Sequence, residues 1–217
     1  TNETLFFRDR TPFDLFRDVI LPEKLAANAT SRSLRIWCAA VSTGQEAYSL
    51  AMIIDEMAQR LAGWRVEILG TDISTEVLER ARQGVYSQFE VQRGLPIQML
   101  LRYFRQDGDK WQVNERIRAM VDLKPHNLLE PNAHFGQFDV IFCRNVLIYF
   151  DVATKAKVMA ALAQRLARDG AFVLGAAVTV LGIPTTTVPG REHRGPSRER
   201  SSVKAQTSNL GLPFDRT

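Results

Sequence analysis

An α/β fold built on a parallel sheet is what this 217-residue chain predicts, and three stretches carry the prediction. The first is residues 36–50, IWCAAVSTGQEAYSL. Its apolar start, Ile36-Trp37-Cys38-Ala39-Ala40, has the composition of a strand buried on both faces. Ser42-Thr43-Gly44 is turn chemistry, and Ala47, Leu50, Ala51 and Ile54 then recur at helical spacing, so the unit reads strand, tight turn, helix. The second stretch, residues 66–72, is a strand, VEILGTD, that ends on an acid, Asp72. The third, Phe138-Asp139-Val140-Ile141-Phe142-Cys143, is the clearest buried strand of the chain and runs out into Arg144 and Asn145. Ligands of open α/β sheets bind beyond the carboxyl ends of the strands, so the residues ending all three stretches fall where a site belongs.

Each strand end has its own chemistry. The small residues before the first helix, Gly44 among them, let backbone N–H groups approach a ligand as in a nucleotide-binding crossover. Glu46 is unusual there, because a carboxylate repels a pyrophosphate but suits a ligand carrying an ammonium group. Alternatively it complements the positive helix N-terminus, which contributes a few tenths to about 1 kcal/mol. Asp72 stands where doubly wound folds place the acid that accepts hydrogen bonds from ribose hydroxyls, each worth about 1.5–3 kcal/mol. The other reading is a helix cap, since Asp72-Ile73-Ser74-Thr75 offers several capping oxygens. Two polar side chains, Arg144 and Asn145, ending an apolar run favour a functional role over a solvent-facing loop.

The remaining elements follow in order. Leu5-Phe6-Phe7 is too apolar for an exposed terminus, so the first ten residues are expected to pack down. Phe13, Phe16 and Ile20 set a helix over 9–20 that Leu21-Pro22 ends or bends, and 28–33 is a polar loop. The helix after the first turn runs over 45–61, and another spans 76–83 before Gly84 stops it. Residues 85–119 abandon the alternation of strand and helix: a short helix at 95–103 and a hairpin through Asp107-Gly108-Asp109 to Trp111-Gln112-Val113 make an inserted subdomain. Met120 to Leu123 resumes the sheet, and Asn127-Leu128-Leu129 is a loop between Pro125 and Pro131. A helix follows over 152–167, stopped near Asp169-Gly170, then a strand over 171–175. From Pro184 the composition turns to Pro, Gly, Ser, Thr and Arg and cannot offset its ordering entropy, so 184–217 is expected to be a disordered or loosely attached tail.

Composition narrows the classes. With 45% hydrophobic residues the chain buries one substantial core, and no apolar run is long enough to cross a bilayer. The N-terminus lacks the order of a secretion signal, so a soluble, cytoplasmic protein is expected. Cys38 and Cys143, each in a strand, read as buried packing in a reducing compartment. Three histidines without paired spacing offer no metal-ligand set. A net charge of +4 is a weak pointer to an acidic partner. Arg191, Arg194, Arg198 and Arg200 raise nucleic-acid binding, but without interleaved aromatics none is expected.

Six motifs stand in one order: TNET with FFR, IWCAAVSTGQEAYSLAM, GTDIS, the YF…V hairpin region, NLL, and FDVIFCRNVLIYFD. In that order they resemble the CheR-type chemotaxis-receptor glutamate methyltransferases, over residues 1–183. The resemblance implies a Rossmann-like, S-adenosylmethionine-dependent methyltransferase sheet with a small inserted β-subdomain at about 85–119. It implies that Asn2, Thr4 and Arg8 approach the cofactor, Glu46 holds its methionyl end, Asp72 takes the ribose hydroxyls, Asn127 and Leu128 border the adenine, and Arg144, Asn145 and Val146 line the crevice. Tyr149 and Phe150 are expected to be aromatic core positions. Arg144 or Arg8 would steer a substrate carboxylate.

The implied reaction is methyl transfer to glutamates of a chemoreceptor (methyl-accepting chemotaxis protein) cytoplasmic domain, yielding methyl esters and S-adenosylhomocysteine. A carboxylate nucleophile is already ionised near neutral pH and needs no general base. Departures from the family pattern are three. The chain begins at the TN motif, without the family's helical, basic N-terminal domain, as a fragment or truncated member would. It lacks an acidic residue near Val178 and the closing strand after Ile183. Its turn at Gln106-Asp107-Gly108-Asp109 is compact, which points to receptor recognition without a pentapeptide tether. A monomer without membrane insertion is expected. The alternatives are a sensor or adaptor that binds S-adenosylmethionine without turnover, and a methyltransferase acting on another carboxylate.

Overall fold

The computed structural model describes residues 3–175; the expectations for Asn2, Val178 and the tail lie outside these residues. In chain order the elements are α1 (Thr11–Leu15), a π-turn (Phe16–Ile20), α2 (Leu21–Ala27), β1 (Ser33–Ala39), α3 (Gln45–Glu56), β2 (Arg65–Asp72) and α4 (Thr75–Gln83). Then come β3 (Val85–Ser87), α5 (Gln88–Gln92), α6 (Ile97–Tyr103), β4 (Phe104–Asp107), β5 (Lys110–Val113) and α7 (Glu115–Arg118). The series closes with β6 (Val121–Pro125), β7 (Phe138–Cys143), α8 (Val152–Ala163) and β8 (Leu166–Leu174), with 3₁₀ turns at Ala133–Phe135 and Leu147–Tyr149.

Five strands form one parallel sheet in the order β6-β2-β1-β7-β8. The chain builds outward from β1 to β2 and β6, then returns to the other side of β1 for β7 and β8. That reversal opens a crevice at the carboxyl ends of β1 and β7, where the ligands of such sheets bind. Alternation along the strands splits the core. Ile36, Cys38, Val140 and Phe142 face the helices α1, α2 and α3, whereas Trp37, Ala39, Ile141 and Cys143 face α8 through Val158 and Leu162. The buried polar atom among these, Trp37 Nε1, donates to Thr71 Oγ1 at 2.9 Å.

Residues 85–113 add a three-stranded antiparallel sheet, β3-β5-β4, closed by a tight turn between Asp107 and Lys110. The helix expected over 9–20 does not stop at Leu21-Pro22. It passes through the π-turn into α2, because Pro22 falls in the first turn of α2, where no N–H is needed. The expected helix over 152–167 is shorter, and β8 already pairs at Leu166 with Phe138. A register shift then absorbs Asp169-Gly170 inside the strand. The helix expected over 45–61 ends at Glu56 and continues as turns.

Candidate active site

The carboxyl ends of β1, β2, β6 and β7 and the N-terminal segment enclose a cleft of about 360 Å³, the size of a small-molecule site. After β1 the backbone doubles back sharply. Ala40 (φ 71°) and Ser42 (φ 52°) are left-handed without being glycine, as is Asn145 (φ 56°) after β7. Such conformations cost about 1–3 kcal/mol each and persist where surrounding structure over-determines them. All three residues line the cleft. Gly44 does not. It is the left-handed N-cap of α3, and a Cβ there would press on Tyr48 at 3.0 Å, Ala81 at 3.1 Å and Tyr86 at 3.2 Å. Its place is tight helix packing.

Asp72 ends β2 half-buried in the cleft wall. Its Oδ2 accepts the Ser42 N–H at 2.8 Å and its Oδ1 the Ser74 N–H at 3.0 Å. The helix cap itself is Ser74, whose Oγ accepts from the Val77 N–H at 3.4 Å. An ionised carboxylate offers about four acceptor positions, so the two amides orient Asp72 and leave each oxygen a lone pair for a vicinal diol.

Glu46 lies in the first turn of α3 with its side chain only 12% exposed. Burial pushes its pKa above the ordinary carboxylate value, while Arg144 and Arg8 pull against that. The partner is Arg144, whose Nη1 donates to Glu46 Oε2 at 3.0 Å. Arg144 also donates through Nη2 to Asp9 Oδ2 and to the Arg8 carbonyl, both at 2.8 Å. With its side chain 2% exposed, Arg144 lines the cleft and commits both Nη atoms to three acceptors, while its Nε has no partner.

The N-terminal segment crosses the site because its apolar residues are anchored on both sides. Phe6 packs edge-on against Tyr86 and Phe104 of the inserted subdomain, and Phe7 packs against Phe13. The Phe7 N–H donates to Ser49 Oγ at 3.0 Å. This brings Thr4 and Arg8 to the cleft, Arg8 donating to the Glu3 carbonyl at 2.6 Å. From β6 come Asn127 and Leu128, the Asn127 Oδ1 shaping its loop by accepting the Leu129 N–H at 3.0 Å. Asn145 and Val146 enter from β7. Tyr149 and Phe150, expected in the core, also line the cleft, Tyr149 with 60% exposure. Phe150 does pack against the core on the α8 face, as expected, whereas Tyr149 departs from the expectation because an aromatic pair after a buried strand reads as packing. A 3₁₀ turn instead rotates Tyr149 outward. His126, also unforeseen, is buried beside Phe135 and His134, and burial lowers its pKa.

Two carboxylates, a cationic rim and apolar walls fit S-adenosylmethionine. Glu46 matches an ammonium group, Asp72 a ribose diol, and Leu128, Val146 and Ile73 the faces of a base.

The sheet order, the acid ending β2 and the cleft at the strand ends define a Rossmann-like methyltransferase domain. Residues 2–188 match the family model for the CheR methyltransferase, SAM binding domain. The chain belongs to that family, and S-adenosylmethionine is its cofactor. It is 44% identical to the chemotaxis protein methyltransferase of Vibrio parahaemolyticus, covering 84% of this chain and 66% of that protein. To chemotaxis protein methyltransferase 1 of Pseudomonas aeruginosa it is 43% identical, over 85% of this chain and 68% of that protein. The chemotaxis protein methyltransferase of Escherichia coli is 38% identical, over 81% and 60%. The chain thus spans about two thirds of the length of the curated relatives it matches.

Proposed function

We propose that this chain transfers the methyl group of S-adenosylmethionine to glutamate carboxylates of a chemoreceptor cytoplasmic domain. The observation that carries this reading is the pairing of Glu46 and Asp72 on the wall of one cleft in a chain of the CheR family. The bound cofactor supplies an electrophilic methyl on a cationic sulfur. A receptor carboxylate oxygen forms the new C–O bond as the C–S bond breaks, and the electron pair stays on the sulfur of S-adenosylhomocysteine. No proton moves, so no general base is needed. The protein contributes alignment and exclusion of water, which for well-oriented reactants is worth about 7–11 kcal/mol.

Within that reading Arg8 steers the incoming carboxylate from the half-buried rim, and Arg144 anchors the N-terminal segment and Glu46. Thr4, Asn127, Leu128, Asn145 and Val146 contact the cofactor. The tight turn between β4 and β5 supports recognition without a pentapeptide tether. The enzyme works as a monomer in the cytoplasm, where the receptor domain it modifies is found. Among the described residues no helix is long and apolar enough to cross a membrane.

The test is transfer of labelled methyl from S-adenosylmethionine to a chemoreceptor cytoplasmic fragment, with cofactor binding followed by calorimetry. Base-labile label on the receptor is the expected result. Cofactor binding without transfer would overturn receptor methylation in favour of a sensor or of another substrate.

A further inference from the structure

We propose that Asp9 is a positioning residue that keeps the Glu46–Arg144 group net negative toward a cationic cofactor by sharing Arg144 with Glu46. The inference rests on S-adenosylmethionine occupying the cleft described above.

A single buried guanidinium stands between two carboxylates. Arg144 reaches Glu46 at 3.0 Å through Nη1 and Asp9 at 2.8 Å through Nη2. Were Arg144 paired with Glu46 alone, the two charges would cancel and the Glu46 carboxylate would offer a cation little net attraction. With Asp9 included, the three groups sum to one negative charge; Glu46 and Arg144 are buried, whereas the Asp9 side chain is 41% exposed and solvent screens part of its share. The other charged residues lining the cleft, Glu3, Arg8 and Asp72, do not offset that negative charge.

The turn that carries Asp9 holds its backbone at some cost. Phe7 (φ 50°), Asp9 (φ 65°) and Arg10 (φ 42°) are all left-handed, a region in which Asp is several-fold better tolerated than most side chains. The turn is closed by the Arg10 N–H on the Phe7 carbonyl at 2.9 Å and by the Thr11 N–H on the Asp9 carbonyl. Arg144 adds a bond to the Arg8 carbonyl, so the same guanidinium that joins the carboxylates fixes the chain that carries Arg8.

The two forms of the ligand differ in charge, which makes the idea separable from simple anchoring. S-adenosylmethionine carries a sulfonium, an ammonium and a carboxylate, net positive; S-adenosylhomocysteine lacks the sulfonium and is neutral overall. Loss of one negative charge near the site must therefore weaken the first more than the second.

The experiment is calorimetric titration of both ligands into the full chain and into Asp9→Asn, Asp9→Gly, Asp9→Glu, Glu46→Gln and the Asp9→Asn/Glu46→Gln double variant, with thermal unfolding of each. Asn and Gly both accept left-handed backbone, so two independent variants remove the charge with the turn preserved. The preference for S-adenosylmethionine over S-adenosylhomocysteine is expected to fall about three- to tenfold in both. Asp9→Glu should restore it, and in the Glu46→Gln background Asp9→Asn should lower the preference again, because the group then passes from neutral to cationic. Equal weakening of both ligands, or none, would overturn the proposal and leave Asp9 a structural anchor. If the parent chain bound neither ligand, the cofactor reading itself would fall and this inference with it.

Discussion

At the residue scale the site depends on carboxylates that the fold treats differently. Burial raises the pKa of Glu46 from its ordinary 4.5, so the cost of its charge is fully present above the raised value and is relieved as the pH falls through it. The ligand-free protein therefore gains stability from this group on acidification, while affinity for the cationic cofactor falls over the same window. Calorimetry across that range checks it, and Glu46→Gln should flatten the dependence. Asp72→Ala is expected to lose cofactor affinity and also about 1–3 kcal/mol of stability, because the Ser42 and Ser74 amides lose their acceptor. An unchanged affinity in that variant would remove Asp72 from the site. Both acids stood out in the sequence because a charge at the end of an apolar strand, or just past a glycine turn, is costly to desolvate unless a ligand or a capped helix answers it. Asp9 and Tyr149 did not, since their meaning lies in a partner 135 residues away for Asp9 and in a single 3₁₀ turn for Tyr149.

Elements hold the site through contacts that local patterning does not reveal. Gly94, just before α6, has φ 91°, and a Cβ there would lie 2.2 Å from the Phe6 carbonyl oxygen. Gly94→Ala must displace the N-terminal segment, at an expected cost of about 1–3 kcal/mol and a fall in melting temperature of roughly 2–12 °C. A wild-type melting temperature would show the segment to be loosely held. The π-turn within residues 16–20 and the register shift in β8 belong to the same scale. Apolar spacing located both segments correctly. It misplaced their ends, because Pro22 and Asp169-Gly170 are stop signals that a first-turn position and a bulge each neutralise. Lys24 illustrates the compensation: buried in α2, it donates to the carbonyl and carboxylate of Asp169 and so ties the helix to that irregular strand.

Over the whole molecule, the two faces of the parallel sheet seal both cysteines. Burial pushes the Cys143 thiol up to about 12, with Glu46 adding to the shift, and raises Cys38 for the same reasons. Neither should react with a thiol reagent at neutral pH in the native protein, and both should react once it is unfolded. Rapid native labelling would mean that β1 and β7 separate readily. By itself the sequence determined the parallel α/β class and the family, and singled out the acids at 46 and 72 as candidates, because buried strands and turn residues are written in local composition. Tertiary structure alone decided that Arg144 is buried and bound to Glu46, Asp9 and the Arg8 carbonyl, that Gly44 packs tightly against Tyr48, Ala81 and Tyr86, and that Asp9 shares its cation with Glu46. Those assignments depend on which distant charges share one low-dielectric pocket, and that follows from the crossing of the N-terminal segment over β7, which no local pattern encodes.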